Sequence, residues 1–269
     1  MNTYIAFDTE TTGVLPGARL IELAAITFDD AGEIISKFER LVNPGMPIPP
    51  DATSVNSITN EMVKDMPDAG TVLNEFFAYL ETHIMVGHYI QFDAGIISWE
   101  AGRFGIPIPA GLEVLCTCAM AKEFGVTKNN KLETLVDHYK LTPNGDLHRA
   151  MTDADLCRQY YLIIQPTMEN EATAMNRVFK SLVPLPWDSA GHNYQYTGDF
   201  PDGLKNYPDM VANAAPITFR YVDARDAETK RTLIPNGWAL QNGNLMINGW
   251  CQLRSATRTF RADRIVEVK

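Results

Sequence analysis

Apolar and polar residues alternate in two different ways along the first part of the chain. Short apolar runs predict strands, and they lie at residues 4–8, 20–28, 33–42, 84–87 and 113–116. Apolar residues at helical spacing predict helices at residues 70–82, 92–104, about 131–139 and 149–165. The turn Asp30-Ala31-Gly32 predicts a tight hairpin between the second and third strands. Three antiparallel strands followed by alternating helices and strands predict a mixed α/β sheet.

The pattern changes beyond Pro216. Short apolar segments separated by turns predict strands at residues 217–222, 231–234, 245–249 and 258–260, which is typical of a small all-β barrel or sheet. The stretch 184–216 is rich in Pro, Gly, Asn, Asp and Tyr and has no sustained apolar period. We therefore divide the chain into a first unit at 1–165, a linker or packing segment at 166–210 and a second unit at 211–269.

The distribution of charge agrees with this division. The chain has 269 residues, with 23 Lys and Arg against 33 Asp and Glu, and a net charge of −10. Residues 1–165 carry a net charge of −11 and residues 166–210 carry −3, whereas residues 211–269 carry +4. The overall charge excludes a uniformly basic nucleic-acid-binding protein, and the change of sign indicates two units with different electrostatic tasks.

Composition also bears on the cellular location. No apolar run approaches the ~18–20 residues that cross a bilayer. The first residues lack a basic leader followed by an apolar stretch, so we expect no signal peptide. Cys116, Cys118, Cys157 and Cys251 form neither a CxxC pair nor a disulfide framework. We therefore expect reduced thiols in a cytoplasmic protein.

Carboxylates at three places suggest metal chemistry. Asp8 and Glu10 lie one residue apart at the end of the first strand, so both side chains point to one side of it. Such a pair is either a solvated strand end or two ligands that share a metal ion. Asp93 lies in the first turn of a helix, where an acid is also favoured by the helix dipole alone.

The third place is the start of the helix near residue 149. Asp153 shares a helical face with Leu156, Cys157 and Tyr160, which predicts a carboxylate on the buried side. An unpaired buried charge is costly, and a metal ion would relieve that cost. His148 lies just before this helix and is either a structural histidine or a proton acceptor.

Taken together, these motifs resemble the DnaQ-like 3′–5′ exonucleases of the DEDDh type. The resemblance covers residues 1 to about 165 and rests on Phe7-Asp8-Thr9-Glu10-Thr11-Thr12-Gly13, Phe92-Asp93 and His148-Arg149-Ala150-Met151-Thr152-Asp153-Ala154. It implies a ribonuclease H-like fold and phosphodiester hydrolysis at the 3′ end of DNA or RNA. It also implies two divalent ions, Mg²⁺ or Mn²⁺, bound by Asp8, Glu10, Asp93 and Asp153, with His148 as the general base.

The same resemblance suggests substrate contacts from Thr11, Thr12, His88 and Phe92. The sequence departs from the family pattern at two positions. His88 is followed by Tyr89 where the family often has asparagine, and Asn56 replaces a familiar histidine ahead of Ser57-Ile58-Thr59. Neither position belongs to the predicted metal site, so these departures bear on substrate preference more than on catalysis.

The second unit resembles a WYL domain, a small Sm-like β-barrel. The resemblance rests on Ile217-Thr218-Phe219-Arg220-Tyr221, Trp250-Cys251-Gln252-Leu253-Arg254 and the segment from Arg258 to Ile265. It implies binding of nucleic acid or a nucleotide-like ligand. The candidate contacts are Arg220, Arg231, Arg258 and Arg264. A solvated basic face with local salt bridges is the alternative interpretation.

The sequence is therefore compatible with three functions. The leading hypothesis is a metal-dependent 3′–5′ exonuclease. The second is a sensor or regulatory protein whose nuclease fold is inactive and whose second unit binds the ligand. The third is a proofreading subunit that serves a polymerase. The intact set of four acids and His148 favours the first.

Overall fold

The computed structural model describes residues 2–13, 18–80, 84–109, 112, 114–124, 127–170, 200–212, 215–241, 244–254 and 256–268. The first unit is built on a five-stranded mixed sheet whose strand order is β3-β2-β1-β4-β5. Its strands are β1 (Thr3–Thr11), β2 (Leu20–Asp29), β3 (Ile34–Leu41), β4 (Ile84–Gly87) and β5 (Val114–Cys116). The first three strands are antiparallel, and β4 and β5 run parallel to β1. This arrangement confirms the predicted mixed α/β sheet.

Seven helices of the described residues belong to this unit. They are α1 (Pro50–Asn56), α2 (Asn60–Val63), α3 (Ala69–Leu80), α4 (Gln91–Phe104), α5 (Thr117–Phe124), α6 (Leu132–Tyr139) and α7 (Ala150–Asn170). Helices α3, α4, α6 and α7 were predicted from their periodicity, whereas α1, α2 and α5 were not. None of the helices in the described part of the chain is long and apolar enough to span a membrane.

Alternation along β1 separates two hydrophobic cores. Ile5 and Phe7 pack on the face covered by α3 and α4, whereas Tyr4 and Ala6 pack on the face covered by α7. The sheet is therefore sandwiched between helices. Because side chains on a strand alternate, the next residues of β1 continue the same division, with even-numbered positions facing α7.

The second unit is a five-stranded antiparallel sheet. Its strands are β6 (Ile217–Val222), β7 (Glu228–Gln241), β8 (Asn244–Cys251), β9 (Ala256–Arg261) and β10 (Ile265–Val268), in the order β10-β6-β7-β8-β9. A 3₁₀ turn at Asp202–Leu204 and the helix α8 (Tyr207–Ala212) precede it. The predicted strands are confirmed, with β7 longer than expected and β10 in addition. Within the described residues no pairing of β9 with β10 closes this sheet into a barrel.

The expected packing segment is described only in part. α7 continues through Pro166 to Asn170, beyond the predicted end of its helix at 165. The aromatic residues Trp187, Tyr194 and Tyr196 of this segment lie outside the described residues. Phe200 packs its ring against Trp238 at a centroid distance of 5.6 Å, as expected for a packing segment.

The two units contact each other through buried side chains. The ring of Trp99 on α4 meets that of Trp238 on β7 edge to face, with 6.0 Å between centroids. The guanidinium of Arg19, which is 1% exposed, donates a hydrogen bond to the carbonyl of Pro235 at 3.5 Å. A Cβ on Gly237 would lie 2.4 Å from the Trp99 ring, so this close approach requires glycine.

Candidate active site

Strand alternation brings three carboxylates together on the α7 side of β1. Asp8 and Glu10 occupy even-numbered positions, so both face α7. Asp153 lies in the first turn of α7 and is buried. One oxygen from each of the three side chains lies within 4.8 Å of the other two. These acids, which are up to 145 residues apart in the sequence, form one oxygen-lined cluster.

Asp93 approaches from the other side of the strand. It lies near the start of α4 and is buried, and its Oδ1 accepts hydrogen bonds from Thr9. The Thr9 amide donates at 3.0 Å and the Thr9 hydroxyl at 2.6 Å. Thr9 therefore fixes Asp93 next to β1. Sequence reasoning missed this role, although an odd-numbered polar residue between two acids was a usable signal.

The four acids strongly disfavour their own ionisation. Burial, followed by the charges of Asp93 and Asp153, raises the pKa of Asp8 well above its ordinary value. Burial and the charge of Asp153 raise the pKa of Glu10 to about 8. Burial raises the pKa of Asp93 to about 7, against the hydrogen bonds from Thr9, which lower it. Burial also raises the pKa of Asp153 to about 6, against the charge of His148, which lowers it. A positively charged partner would therefore stabilise the ionised carboxylates of this cluster.

A divalent cation fits this donor set. All three clustered ligands are carboxylate oxygens, which hard cations such as Mg²⁺ and Mn²⁺ prefer. Oδ1 of Asp153 is buried and accepts no hydrogen bond from the residues described. An ion at this position would both occupy the orphaned oxygen and remove the repulsion that raises the pKa values of Asp8 and Glu10.

His148 lies at the edge of the cluster. It precedes α7 by two residues, its backbone is left-handed with φ 59°, and its side chain is about half exposed. Its Nε2 lies 3.6 Å from Oε1 of Glu133 on α6. His148 thus lies on the approach to the helix, where the sequence places it, and its side chain reaches solvent.

The chain next to His148 is fastened to β2 by a partly buried ion pair. Arg149 donates from Nε to Oε2 of Glu22 at 3.1 Å and forms a second bond from Nη2 to Oε1. The same Oε2 accepts from the amide of Ala150, the first residue of α7, at 2.9 Å. Glu22 is fully buried. The pairing of Glu22 with Arg149 was not predicted, although a glutamate in the apolar run of β2 could have signalled a buried partner.

A cavity of about 450 Å³ opens beside the acids. We call it the active-site cavity, and its wall includes His88, Tyr89, Lys131, Leu147, His148 and Asp153. His88 hydrogen-bonds through Nδ1 to the hydroxyl of Thr117 at 2.9 Å. Burial lowers the pKa of His88 to about 4, so the ring is neutral and serves as part of the wall. The cavity leads from solvent to Asp153.

The other expected substrate contacts lie in the turn after β1 and against the core. The Thr11 hydroxyl donates to the carbonyl of Gly13 at 2.6 Å, and the Thr12 hydroxyl accepts from the amide of Arg19 at 2.9 Å. Both threonines are buried and shape the turn after β1. Phe92 packs against the core on the α3–α4 side.

Asn56 lies against the same turn. The side-chain Nδ2 of Asn56 donates to the carbonyl of Thr11 at 3.4 Å. The Asn56 side chain also hydrogen-bonds to Glu10, and this bond lowers the pKa of Glu10 against the larger, opposite effect of burial. The position at which the sequence departs from the family pattern is therefore in contact with a candidate metal ligand.

The four candidate arginines of the second unit do not share one face. Arg220 alternates away from the buried Phe219 and is paired with both Glu228 and Glu267 at 2.8 Å. Arg231 pairs in register with Phe219, and its guanidinium lies 5.9 Å from the centroid of the Phe260 ring. Arg258 is exposed on β9, and Arg264 is partly exposed in the 3₁₀ turn (Ala262–Arg264) before β10.

Comparison with known proteins follows the two units. The family model described as Exonuclease (RNase_T) matches residues 5–161, and the model described as WYL domain matches residues 208–269. The DNA polymerase III subunit epsilon of Treponema pallidum is 33% identical over 162 residues, which are 59% of this chain and 74% of that protein. The PolC-type DNA polymerase III of Halalkalibacterium halodurans is 33% identical over 154 residues, which are only 10% of its length.

Two solved structures support the same fold. Exonuclease X, solved with 5′-overhanging duplex DNA, is 28% identical with a TM-score of 0.51, and the match covers 66% of this chain and 99% of that one. Escherichia coli exonuclease I, solved with a dT13 oligonucleotide, is 13% identical with a TM-score of 0.58. That match covers 93% of this chain and 55% of the other, and at this identity it bears on the fold alone.

Proposed function

The chain belongs to the DnaQ-like exonuclease family, and from this premise we propose how its site works. Family membership makes it a 3′–5′ exonuclease. We assign the metal ligands to Asp8, Glu10, Asp93 and Asp153, and the general base to His148. The observation that carries this assignment is the convergence of three carboxylates beside a half-exposed histidine in an open cavity.

Each side chain has a separate task. Bound Mg²⁺ or Mn²⁺ supplies charge neutralisation at the scissile phosphate and activation of the attacking water. Asp8, Glu10 and Asp153 hold the ions, and Asp93 is held in place by Thr9. His148 accepts the proton of the attacking water at a ring nitrogen. We also assign contacts with the terminal nucleotide to Thr11, Thr12 and His88, whereas Phe92 packs against the core on the α3–α4 side.

DNA is the proposed substrate. Two observations support it. Exonuclease X, at 28% identity, was solved with DNA, and two relatives at 33% identity are a DNA polymerase III subunit and a PolC-type DNA polymerase III. RNA is the competing outcome, because discrimination at the 2′-hydroxyl depends on the shape of the site and not on its metal ligands.

The test measures degradation of 3′-labelled single-stranded DNA, duplex DNA and RNA, with Mg²⁺ and with Mn²⁺. We expect shortening from the 3′ end, loss of activity with a chelator, and loss of activity in Asp153→Asn with a melting temperature at or above that of wild type. Glu75→Gln removes an exposed carboxylate remote from the site and serves as the control. Full activity in Asp153→Asn would reject the site assignment.

Proofreading beside a polymerase is a second candidate function. It is favoured by the epsilon subunit of Treponema pallidum, of which this chain covers 74%. Affinity purification of the full chain tests it, with co-purification of a polymerase catalytic subunit as the expected result. Recovery of the chain without such a subunit counts against the proofreading role.

A nucleic-acid-binding or ligand-binding role of the second unit also stays a proposal. Its net charge of +4 supports it, but Arg220 is already paired with two glutamates. Arg258 is exposed on β9, and Arg264 is partly exposed before β10. Replacing Arg258 and Arg264 with glutamine should weaken strand binding and reduce its salt dependence.

The cytoplasm is the proposed location. All four cysteines, Cys116, Cys118, Cys157 and Cys251, are free thiols, which suits a reducing compartment. Cell fractionation with an antibody against the full chain tests this location, and recovery in an oxidising compartment would contradict it.

A further inference from the structure

Tyr89 has a backbone conformation that its residue type disfavours. Among the described residues other than glycine, five have a positive φ. Ser57 and Lys140 end helices, and Asp226 lies in the hairpin turn between β6 and β7. Tyr89, with φ 54°, and His148 are the remaining two, and both line the active-site cavity. Histidine tolerates this region better than a bulky tyrosine does.

The backbone around Tyr89 is fixed, whereas its side chain is displayed. The carbonyl of Tyr89 accepts a hydrogen bond from the amide of Phe92 at 3.0 Å, and the neighbouring Ile90 is buried. The Tyr89 side chain is 62% exposed. Within the described part of the chain its hydroxyl makes no hydrogen bond and its ring stacks on no other ring. Strain at such a position points to a use outside the fold.

The surroundings of the ring indicate what it contacts. Leu147 adds a second exposed apolar side chain to the cavity, at 38% exposure, and Lys131 adds a cation. His148 and Asp153 lie in the same wall. A flat ring, an aliphatic surface and a cation beside a phosphodiester-cleaving site match a nucleobase and its phosphate.

We propose that Tyr89 stacks on an unpaired nucleobase of the substrate and thereby favours single-stranded 3′ ends. This proposal rests on the proposed function, because it assumes that the cavity receives a nucleic-acid strand. A base in a duplex already stacks on its neighbours, so presenting its face to Tyr89 costs unpairing and unstacking. A single strand offers that face at a lower cost, and the left-handed backbone holds the ring ready for it.

The experiment combines a change in the protein with a change in the substrate. Steady-state KM and kcat are measured for wild type, Tyr89→Asn and Tyr89→Phe on short single-stranded DNA. One abasic residue is moved through the last four positions. In Tyr89→Asn we expect KM for the intact strand to rise about 5- to 150-fold with little change in kcat. Tyr89→Phe keeps the ring and should behave as wild type.

The abasic strands identify the contact itself. In wild type, an abasic residue at the stacked position should raise KM, and in Tyr89→Asn the same residue should have no further effect. Ile35→Asn is the matched control, because Ile35 is 58% exposed on the remote edge strand β3. Asparagine tolerates a positive φ, so Tyr89→Asn should melt at or above wild type. If it does not, Tyr89→Gly supplies the same comparison without the strain.

The outcomes distinguish failure of the proposed function from failure of the stacking proposal. A wild-type protein that degrades no strand rejects the proposed function and this proposal with it. A wild-type protein that degrades strands, with Tyr89→Asn equally sensitive to every abasic position, rejects stacking alone. Equal impairment of Tyr89→Phe and Tyr89→Asn also rejects stacking, since the hydroxyl would then be the contact.

Discussion

At the scale of single residues, the candidate site is an arrangement of side chains that repel one another. Asp8, Glu10, Asp93 and Asp153 are held together by the sheet and two helices, and burial raises the pKa of each. The metal-free fold therefore carries a cost at this site. That cost depends on pH, because protonation removes the charge.

Glu10→Gln should stabilise the metal-free protein at pH 8. The pKa of Glu10 is raised to about 8 in the folded chain and is near 4.5 when unperturbed. Folding therefore favours the protonated form, and stability falls as pH rises from about 4.5 to about 8. Melting of both proteins in chelator, between pH 5 and 8.5, should show an advantage of Glu10→Gln that grows with pH. Added Mg²⁺ should reverse the order by stabilising wild type. An advantage independent of pH would contradict this account.

His148→Gln should lower kcat by about 10²–10⁴-fold if the ring is the general base. The amide cannot accept the proton of the attacking water, whereas the carboxylate cluster is left intact. Mn²⁺ affinity and the melting temperature should therefore stay near those of wild type. Glu133→Gln, which removes the carboxylate 3.6 Å from Nε2, is the matched comparison and should cost less. Restoration of His148→Gln by excess metal would make His148 a metal ligand instead.

At the scale of elements, the site depends on how α7 is attached to the sheet. Glu22 of β2 binds both Arg149 and the first amide of α7, so one buried carboxylate fixes the helix that carries Asp153. His148 lies one residue before this attachment. The attachment therefore sets the positions of two candidate site residues at once.

Arg149→Met should destabilise the protein by about 3–5 kcal/mol, because it leaves the carboxylate of Glu22 buried without its partner. Glu22→Gln, in the same ion pair, should cost less, since a neutral amide can still accept from the amide of Ala150. Chemical denaturation of the two variants measures this difference. Equal stabilities for Arg149→Met and wild type would mean that the ion pair contributes nothing to folding.

The sequence predicts the elements of this architecture better than the contacts between them. Apolar runs and helical spacing located every strand of the first sheet and the four helices that cover it. Helices α1 and α2 are only four to seven residues long, so periodicity had little length in which to appear. The roles of Thr9, Glu22 and Arg149 depend on partners 84 to 128 residues away, which no local pattern reports. The φ of Tyr89 is likewise a property of the folded chain.

At the scale of the whole molecule, the two units meet behind the turn that follows β1. Arg19 donates its amide hydrogen to the hydroxyl of Thr12, and its guanidinium reaches the carbonyl of Pro235 on β7. Trp99 belongs to α4, the helix that carries Asp93. The second unit therefore contacts a residue that hydrogen-bonds to Thr12 and the helix that carries Asp93.

Gly237→Ala should loosen this contact and lower the melting temperature. The added methyl would lie 2.4 Å from the ring of Trp99, which is too close for any side-chain carbon. Trp99→Ala removes the obstacle, so the double variant should lose less stability than the sum of the two single losses. Strict additivity in this cycle would show that the residues do not meet in solution.

The pairing of Trp99 with Gly237 should be visible in the evolution of related sequences. A tryptophan that is buried only because another unit covers it is a liability in any relative that lacks that unit. Lineages that keep both units should therefore retain Trp99 and Gly237 together, and those that have only the catalytic unit should carry a polar residue in place of Trp99. These two positions would then record, in sequence alone, which ancestors were already fused.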